Sequence, residues 1–300
     1  MTTQKRWDPA RMQNLVRVMN PGAGNVFYVN GLTGNNAYDG TTPETARLTI
    51  TSALSLCTND EAAQDYVIVL RYPSADPGEA AWPIAVAYAG VHIIGAGLFG
   101  AGPNCYINPP DDTAAFSLAA NGIEIAGFDL AGGATHGCIE NNGAIWRAWI
   151  HHNDINLQRT SQDGIRIGVG PADCPEWLIE NNKFGNIADA FPTRDCIRIE
   201  QNMTRGTIRN NQFWVGVGVV GVHFQGLCTG YIWCVDNKFY VTDSAAGEAI
   251  TSLDANCNAF ICNNFAGQGK VAMANNPYLD TGGAANWVLN YSTAAILNAA

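Results

Sequence analysis

Ile179-Glu180-Asn181-Asn182-Lys183-Phe184 is answered, 29 residues on, by Ile208-Arg209-Asn210-Asn211-Gln212-Phe213. The shared phrase is an apolar residue, two of any kind, an asparagine, one more, then a large apolar residue. It also reads Ile150-x-x-Asn153-x-Ile155 before this pair, and Cys234-x-x-Asn237-x-Phe239 and Phe260-x-x-Asn263-x-Phe265 after it. The asparagines stand 29, 29, 26 and 26 residues apart. An earlier relative, Ile125-x-x-Phe128-x-Leu130, lacks the amide. A fixed period of this length marks stacked repeats.

Within each period the apolar residues alternate, as in Cys196-Ile197-Arg198-Ile199, which is the period of a strand with one buried face. Helical repeats need apolar spacings of three and four, and 32 glycines in 300 residues argue against them. Asparagine tolerates the left-handed backbone region, so one per period predicts the same tight corner turned each time. Stacked corners let Asn153, Asn182, Asn211, Asn237 and Asn263 form an amide ladder. The expected object is a solenoid of parallel strands, its coils about 4.8 Å apart. Phe184, Phe213, Phe239 and Phe265 are expected in one interior column, Ile179 and Ile208 in a second, Cys138 and Cys196 in a third.

In these residues the chain resembles the right-handed parallel β-helix, or pectate-lyase-like, superfamily. Phe27-Tyr28-Val29-Asn30, the Asp39-Gly40 turn and Thr42-Pro43-Glu44-Thr45 before Leu48 to Leu54 add to the likeness. The resemblance implies an all-β, single-stranded right-handed solenoid with an N-terminal capping helix. Four segments follow: an anchoring arm at 1–24, an opening strand and capping helix at 25–64, β-helix coils at 65–269, and a C-terminal cap at 270–300. In the arm, Lys5, Arg6, Arg11 and Arg17 oppose only Asp8, giving +3 against −13 for the remainder. Met12 and Leu15, with Met19, fall on one face of a short helix, so the arm is read as a grip on an acidic partner.

The body carries few charges (14%) and a net charge of −10, which argues against binding nucleic acid through phosphate contacts. Nine cysteines, none in a CxxC pair, read as reduced interior residues of a protein assembled in a cytoplasm. The first twenty residues are polar and basic rather than an apolar export signal. Residues 80–110 hold no charged side chain, yet proline and five glycines between 83 and 102 read as strands and turns, not a membrane span.

Chemistry is harder to find. Asp163-Gly164-Ile165-Arg166 and Asp195-Cys196-Ile197-Arg198 recur at similar places in adjacent coils. Asp195-Cys196 resembles part of the polygalacturonase Asp-Asp-Cys pattern, but Arg194 precedes it and the family's Gly-His-Gly is missing. His223 is the nearest substitute. Asp163, Asp195, Arg198 and His223 are therefore weak catalytic candidates, against the plainer reading of ion pairs between coils, with neighbouring cations expected to lower both acids. His151 and His152, as consecutive strand residues, should point to opposite faces, which argues against a shared metal. No metal or cofactor is expected. Some of Trp146, Trp149, Trp177, Trp214 and Trp233 must face outward, where they suit a sugar or a protein partner.

The expected function is that of a structural protein of a tailed-phage virion, a capsid decoration or tail-associated subunit docked through its arm. The alternative is a tailspike-like protein that binds or degrades a polysaccharide, as a lyase or hydrolase. Expected partners are other virion proteins of capsid or tail, a host surface glycan in the alternative, and two further copies in a homotrimer. Neither nucleic acid nor membrane is among them, and whether the chain catalyses anything is open.

Overall fold

The computed structural model describes residues 24–267 apart from 74–75, 97–104, 111, 134, 142, 157–161, 169–172, 186–193, 201–202, 216–218, 227–229, 242–247 and 253–257. Beyond 267 it describes only strands at 278–280, 286–288, 290–292 and 296–297. The expected arm, with Lys5, Arg6, Arg11, Met12, Leu15 and Arg17, lies outside the described residues.

The repeated phrase folds into two strands joined by a corner. Its first apolar residue enters a ten-stranded sheet through strands such as Trp149–His151, Leu178–Glu180 and Thr207–Arg209. Its last enters a nine-stranded sheet through Asp154–Ile155, Lys183–Phe184 and Gln212–Val215. Strands such as Asp163–Ile167, Ile197–Ile199 and Val220–Phe224 build an eight-stranded third sheet. Each strand pairs with its counterpart one coil away, Ile150 to Ile179 to Ile208 to Cys234, all parallel. The chain is a parallel β-solenoid. Among the described residues one pair runs antiparallel, where Ile296–Leu297 returns against Asn290–Ser292.

The amide ladder exists and is buried. Asn182 Nδ2 donates to Asn211 Oδ1 (3.1 Å) and to the Ile150 carbonyl (2.9 Å), while Asn211 Oδ1 also accepts the Asn182 backbone N–H (2.9 Å). Asn153, Asn211 and Asn237 repeat this pattern. Where Phe128 replaces the asparagine, its backbone N–H donates to Asn153 Oδ1 and begins the ladder.

One rung differs from expectation. Asn264, not Asn263, continues the ladder, bonding Asn290 Oδ1 (3.0 Å), and Asn290 is a sixth rung. The strand Ala259–Cys262 is displaced by one residue, so Ile261 rather than Phe260 lies in register with Cys234. Ala266 therefore takes the place below Phe239, and Phe265 stands outside, 41% exposed. A one-residue shift exchanges the two faces of a strand.

The left-handed residue is also not the ladder asparagine but the one before it. Gly127, His152, Asn181, Asn210, Asp236 and Asn263 all have φ between 54° and 79°. A second left-handed column, Gly90, Gly122, Arg147, Glu176 and Arg205, marks the corner leading into the ten-stranded sheet.

Inside, Phe184, Phe213 and Phe239 stack with centroids 4.8 and 4.6 Å apart. Opposite them run Cys138, Gly164, Cys196 and Gly221, all in one register. A Cβ on Gly164 would lie 2.9 Å from Phe184 Cδ1, and one on Gly221 2.5 Å from Phe239 Cε1. Small residues there make room for the rings. The seven described cysteines form no disulfide, and six of them are buried.

At the N-terminal end, Val26–Asn30 pairs with Tyr66–Arg71. The helix of this region is five residues, Ile50–Leu54, capped by Thr49; the Thr42-Pro43-Glu44-Thr45 segment lies before it, where Thr42 and Thr45 bond each other in a turn. Glu79 accepts from the Ile50 and Thr51 N–H groups (2.7 and 3.0 Å), placing a carboxylate where the helix dipole is positive. Residues 84–86, 92–95 and 106–107 are strands within the charge-free stretch, and no helix among the described residues is long and apolar enough to cross a membrane.

Candidate functional site

The register of the eight-stranded sheet brings all four weak candidates together. Arg166, Arg198 and His223 lie in one row, and Asp163 and Asp195 lie three residues before the first two of them. The Asp195 backbone N–H donates to Asp163 Oδ1 (3.1 Å). Asp195 Oδ2 accepts from Arg198 Nη1 (2.9 Å) and pairs with His223 Nδ1 (2.7 Å). Glu200 clamps both arginines, at 2.8 Å from Arg198 Nε and 2.9 Å from Arg166 Nη2. Arg194 Nη1 stands 3.6 Å from Asp163 Oδ2, and Glu140 3.8 Å from Arg166. Arg194 enters the sequence reading only as a departure from the polygalacturonase pattern and Glu200 only as the end of the second acid-plus-arginine stretch, while Glu140 has no signal there.

The electrostatics correct one expectation. Burial raises Asp163 to about 6, outweighing the backbone bond from Asp195 and the charge of Arg194. Its side chain is 0% exposed. Glu200, by contrast, is held low: burial acts against it, but the bonds and charges of Arg166 and Arg198 prevail. Asp163 Oδ2, Arg166 Nε and His223 Nε2 are buried atoms without a hydrogen-bond partner. A histidine held at Nδ1 by a carboxylate, with Nε2 free, is the arrangement of a general base. Here, however, neither Asp163 nor Asp195 faces solvent, so no polymer chain can lie between them as inverting hydrolysis requires.

A second cluster lies on the ten-stranded sheet and centres on buried Glu124. His151 Nε2 is 2.6 Å from Glu124 Oε1, and His92 Nδ1 bonds Oε2. Burial works to raise Glu124, yet the two histidine bonds and charges bring it down to about 2. Tyr66 stacks on His92 (4.4 Å) and Trp149 on His151 (4.0 Å). His151 and His152 do not point apart: the strand ends at His151, and the left-handed backbone of His152 brings the two Nδ1 atoms to 2.7 Å. Among the described residues no group of three His, Cys, Asp or Glu side chains is placed to hold a metal ion. His92 and Glu124 fall outside the repeated phrase, which is why the sequence did not bring them forward.

The nine-stranded sheet holds a third group. Asp129 and Asp154 are in register, and Asp154 Oδ2 bonds Lys183 Nζ (2.8 Å). Burial, then the charge of Asp154, raises Asp129 to about 6. Of the five tryptophans named from the sequence, Trp146, Trp149 and Trp233 are exposed, Trp214 is half-buried, and Trp177 is core, its Nε1 donating to the Ile145 carbonyl (2.8 Å). No family model matches this chain, and no curated protein and no solved structure matches it.

Proposed function

We propose that this chain is a structural subunit of a tailed-phage particle, on capsid or tail, working by attachment rather than by chemistry. The solenoid, of the right-handed pectate-lyase-like kind and closed at its start by the short helix, is the scaffold. The basic arm at 1–24 docks it onto an acidic virion surface, and the body associates as a homotrimer assembled in the host cytoplasm. The observation that carries this reading is the closure of the acid–base cluster. Asp163 and Asp195 are buried, and Glu200 and both arginines spend their charge on one another. Such a cluster fixes coil against coil and offers nothing to a substrate. Buried cysteines that form no disulfide among the described residues fit folding in a reducing compartment. Deleting residues 2–20 is expected to abolish incorporation into particles while leaving the body folded; wild-type incorporation of the deletion would sink the docking reading.

The second reading, cleavage of a polysaccharide, draws on one feature: the raised pKa of Asp163 beside the Asp195–His223 pair. It predicts depolymerisation of a host surface glycan that Asp195→Asn abolishes. Purified protein that shortens no such polymer disposes of this reading and leaves the first standing.

A further inference from the structure

The outward faces of the three long sheets differ in charge. On the ten-stranded sheet, Trp149, Leu178, Thr207, Trp233 and Phe260 stand in one register, one residue per coil and none of them charged. At a coil spacing of about 4.8 Å the row runs for about 19 Å. Trp149 and Trp233 are exposed, while Leu178, Thr207 and Phe260 are half-buried. Trp233 packs on Phe260 with ring centroids 4.7 Å apart. Tyr231, two residues before Trp233, is 78% exposed, the most open large apolar side chain among the described residues. Nearer the start of the same sheet, outward Tyr28, Ile68 and Ile94 are covered by the chain itself, through Ala46.

The charges bordering the row are paired with one another. Arg147 pairs with Glu61, Arg205 with Glu176 (3.0 Å) and Arg209 with Glu180 (2.7 Å), a neutral border on a chain of net charge −10. The other two sheets carry charge within their outward rows. Asp129, Asp154 and Lys183 are in register on the nine-stranded sheet, and Glu140, Arg166, Arg198 and His223 on the eight-stranded sheet.

We infer that copies of this chain meet through the row from Trp149 to Phe260. A rotation axis along the solenoid sets each outward residue against its own counterpart at the same height, so a charged residue faces its like. Of the three rows compared, the one on the ten-stranded sheet escapes that repulsion. A different protein could answer a charged row with the opposite charge; a copy cannot. The area agrees. At about 250 Å² for a large aromatic side chain, the open fractions of Trp149, Trp233 and Tyr231 (38, 48 and 78%) leave on the order of 400 Å². That is close to the apolar share of the roughly 800 Å² that each partner gives to a stable interface. Aromatic anchors bordered by polar pairs are also the anatomy of such an interface. The inference rests on the self-association in the reading above, though not on the number of copies, and adds the surface that performs it.

Light scattering on the full chain, with and without Trp233→Glu, tests the surface. Wild type is expected to assemble. Trp233→Glu sets a carboxylate against its own copies and should raise the dissociation constant at least about thirtyfold, the scale of an interface hot spot. A circular dichroism spectrum matching wild type shows that this variant is folded. Thr207→Cys, at the middle of the row, gives a second measurement that does not depend on that variant. With Cys262 changed to serine, because its thiol borders the same row, a short bismaleimide should join two copies through position 207. Ser117→Cys, outward on the eight-stranded sheet, should not be joined. Assembly that a folded Trp233→Glu leaves intact, or a Thr207→Cys chain that forms no cross-link, would overturn the surface and leave self-association standing. A wild-type chain that stays single at every concentration would overturn self-association itself, and this inference with it.

Discussion

Asn210 and Asn211 are neighbours with the same side chain and opposite fates. Asn210 sits outside at φ 55°, exposed at the corner. Asn211 sits inside, with both amide hydrogens donated and its oxygen accepting twice. Asn181 and Asn182 repeat the contrast, as do Asn263 and Asn264. The outer asparagine is chosen for its backbone and the inner one for its side chain. That difference makes the solenoid stackable: the outer row turns the chain, and the inner row tells each coil where the next must lie.

The inner row should dominate stability. Asn211→Ala strands the Asn182 backbone N–H, one Asn182 amide hydrogen and the Ile179 carbonyl in the core. Orphaned buried groups cost roughly 1–3 kcal/mol each, not fully additively, so a loss of about 3–5 kcal/mol is expected in denaturant unfolding. A loss below about 1 kcal/mol would mean that the ladder is ornamental and the comparison empty.

The register shift sharpens the comparison one coil further on. Phe239→Ala opens a cavity in the ring stack and should cost about 3–5 kcal/mol. Phe265→Ala, by phrase the same position, should cost no more than about 0.5 kcal/mol because the ring is outside. Equal costs would place Phe265 in the column that Ala266 occupies.

The repeated phrase carried the parallel winding, the ladder and the ring stack because each depends on a residue recurring at one register. It failed at Asn263 because two asparagines stand side by side there and the inserted residue leaves either spacing plausible. Asp163, Asp195 and Arg198 are legible from their recurrence in adjacent coils and His223 only through the polygalacturonase resemblance, and the register stacks all four. The phrase could not reach Glu124 with His92 and His151, whose partners change identity from coil to coil. Nor could it tell that Asp163 is buried enough for desolvation to defeat its cations, since that depends on what covers the sheet.

The acid–base cluster offers a contrast with the ladder in which charge replaces neutral amides. Folded Asp163 keeps its proton to about pH 6, whereas an unfolded aspartate releases it near 3.8. The folded state thus binds the extra proton, and stability falls as pH rises through about 4 to 6, then levels. The full drop is on the order of 3 kcal/mol. Asp129 contributes in the same window and direction, while Glu124, held at about 2, loses its contribution only as pH falls below about 4.5. Asp163→Asn keeps the acceptor for the Asp195 N–H and removes the titration. Its unfolding free energy, compared with wild type at pH 4 and pH 7, should gain relatively at pH 7. A constant difference across that range would contradict the burial of a protonated acid.

The smallest expected effect tests the outer row. At Asn210 the left-handed backbone costs an ordinary residue about 1–2 kcal/mol, a penalty asparagine partly escapes and glycine escapes fully. Against this, glycine gives the unfolded chain more freedom, so the two terms oppose each other within about 1 kcal/mol. Asn210→Gly should therefore change the unfolding midpoint little, and Asn210→Val should lower it clearly. The same two changes at Asn211 should be equally severe, because neither replacement carries an amide. If valine and glycine ranked alike at both positions, backbone and side chain would not be the separate reasons that set these two asparagines apart.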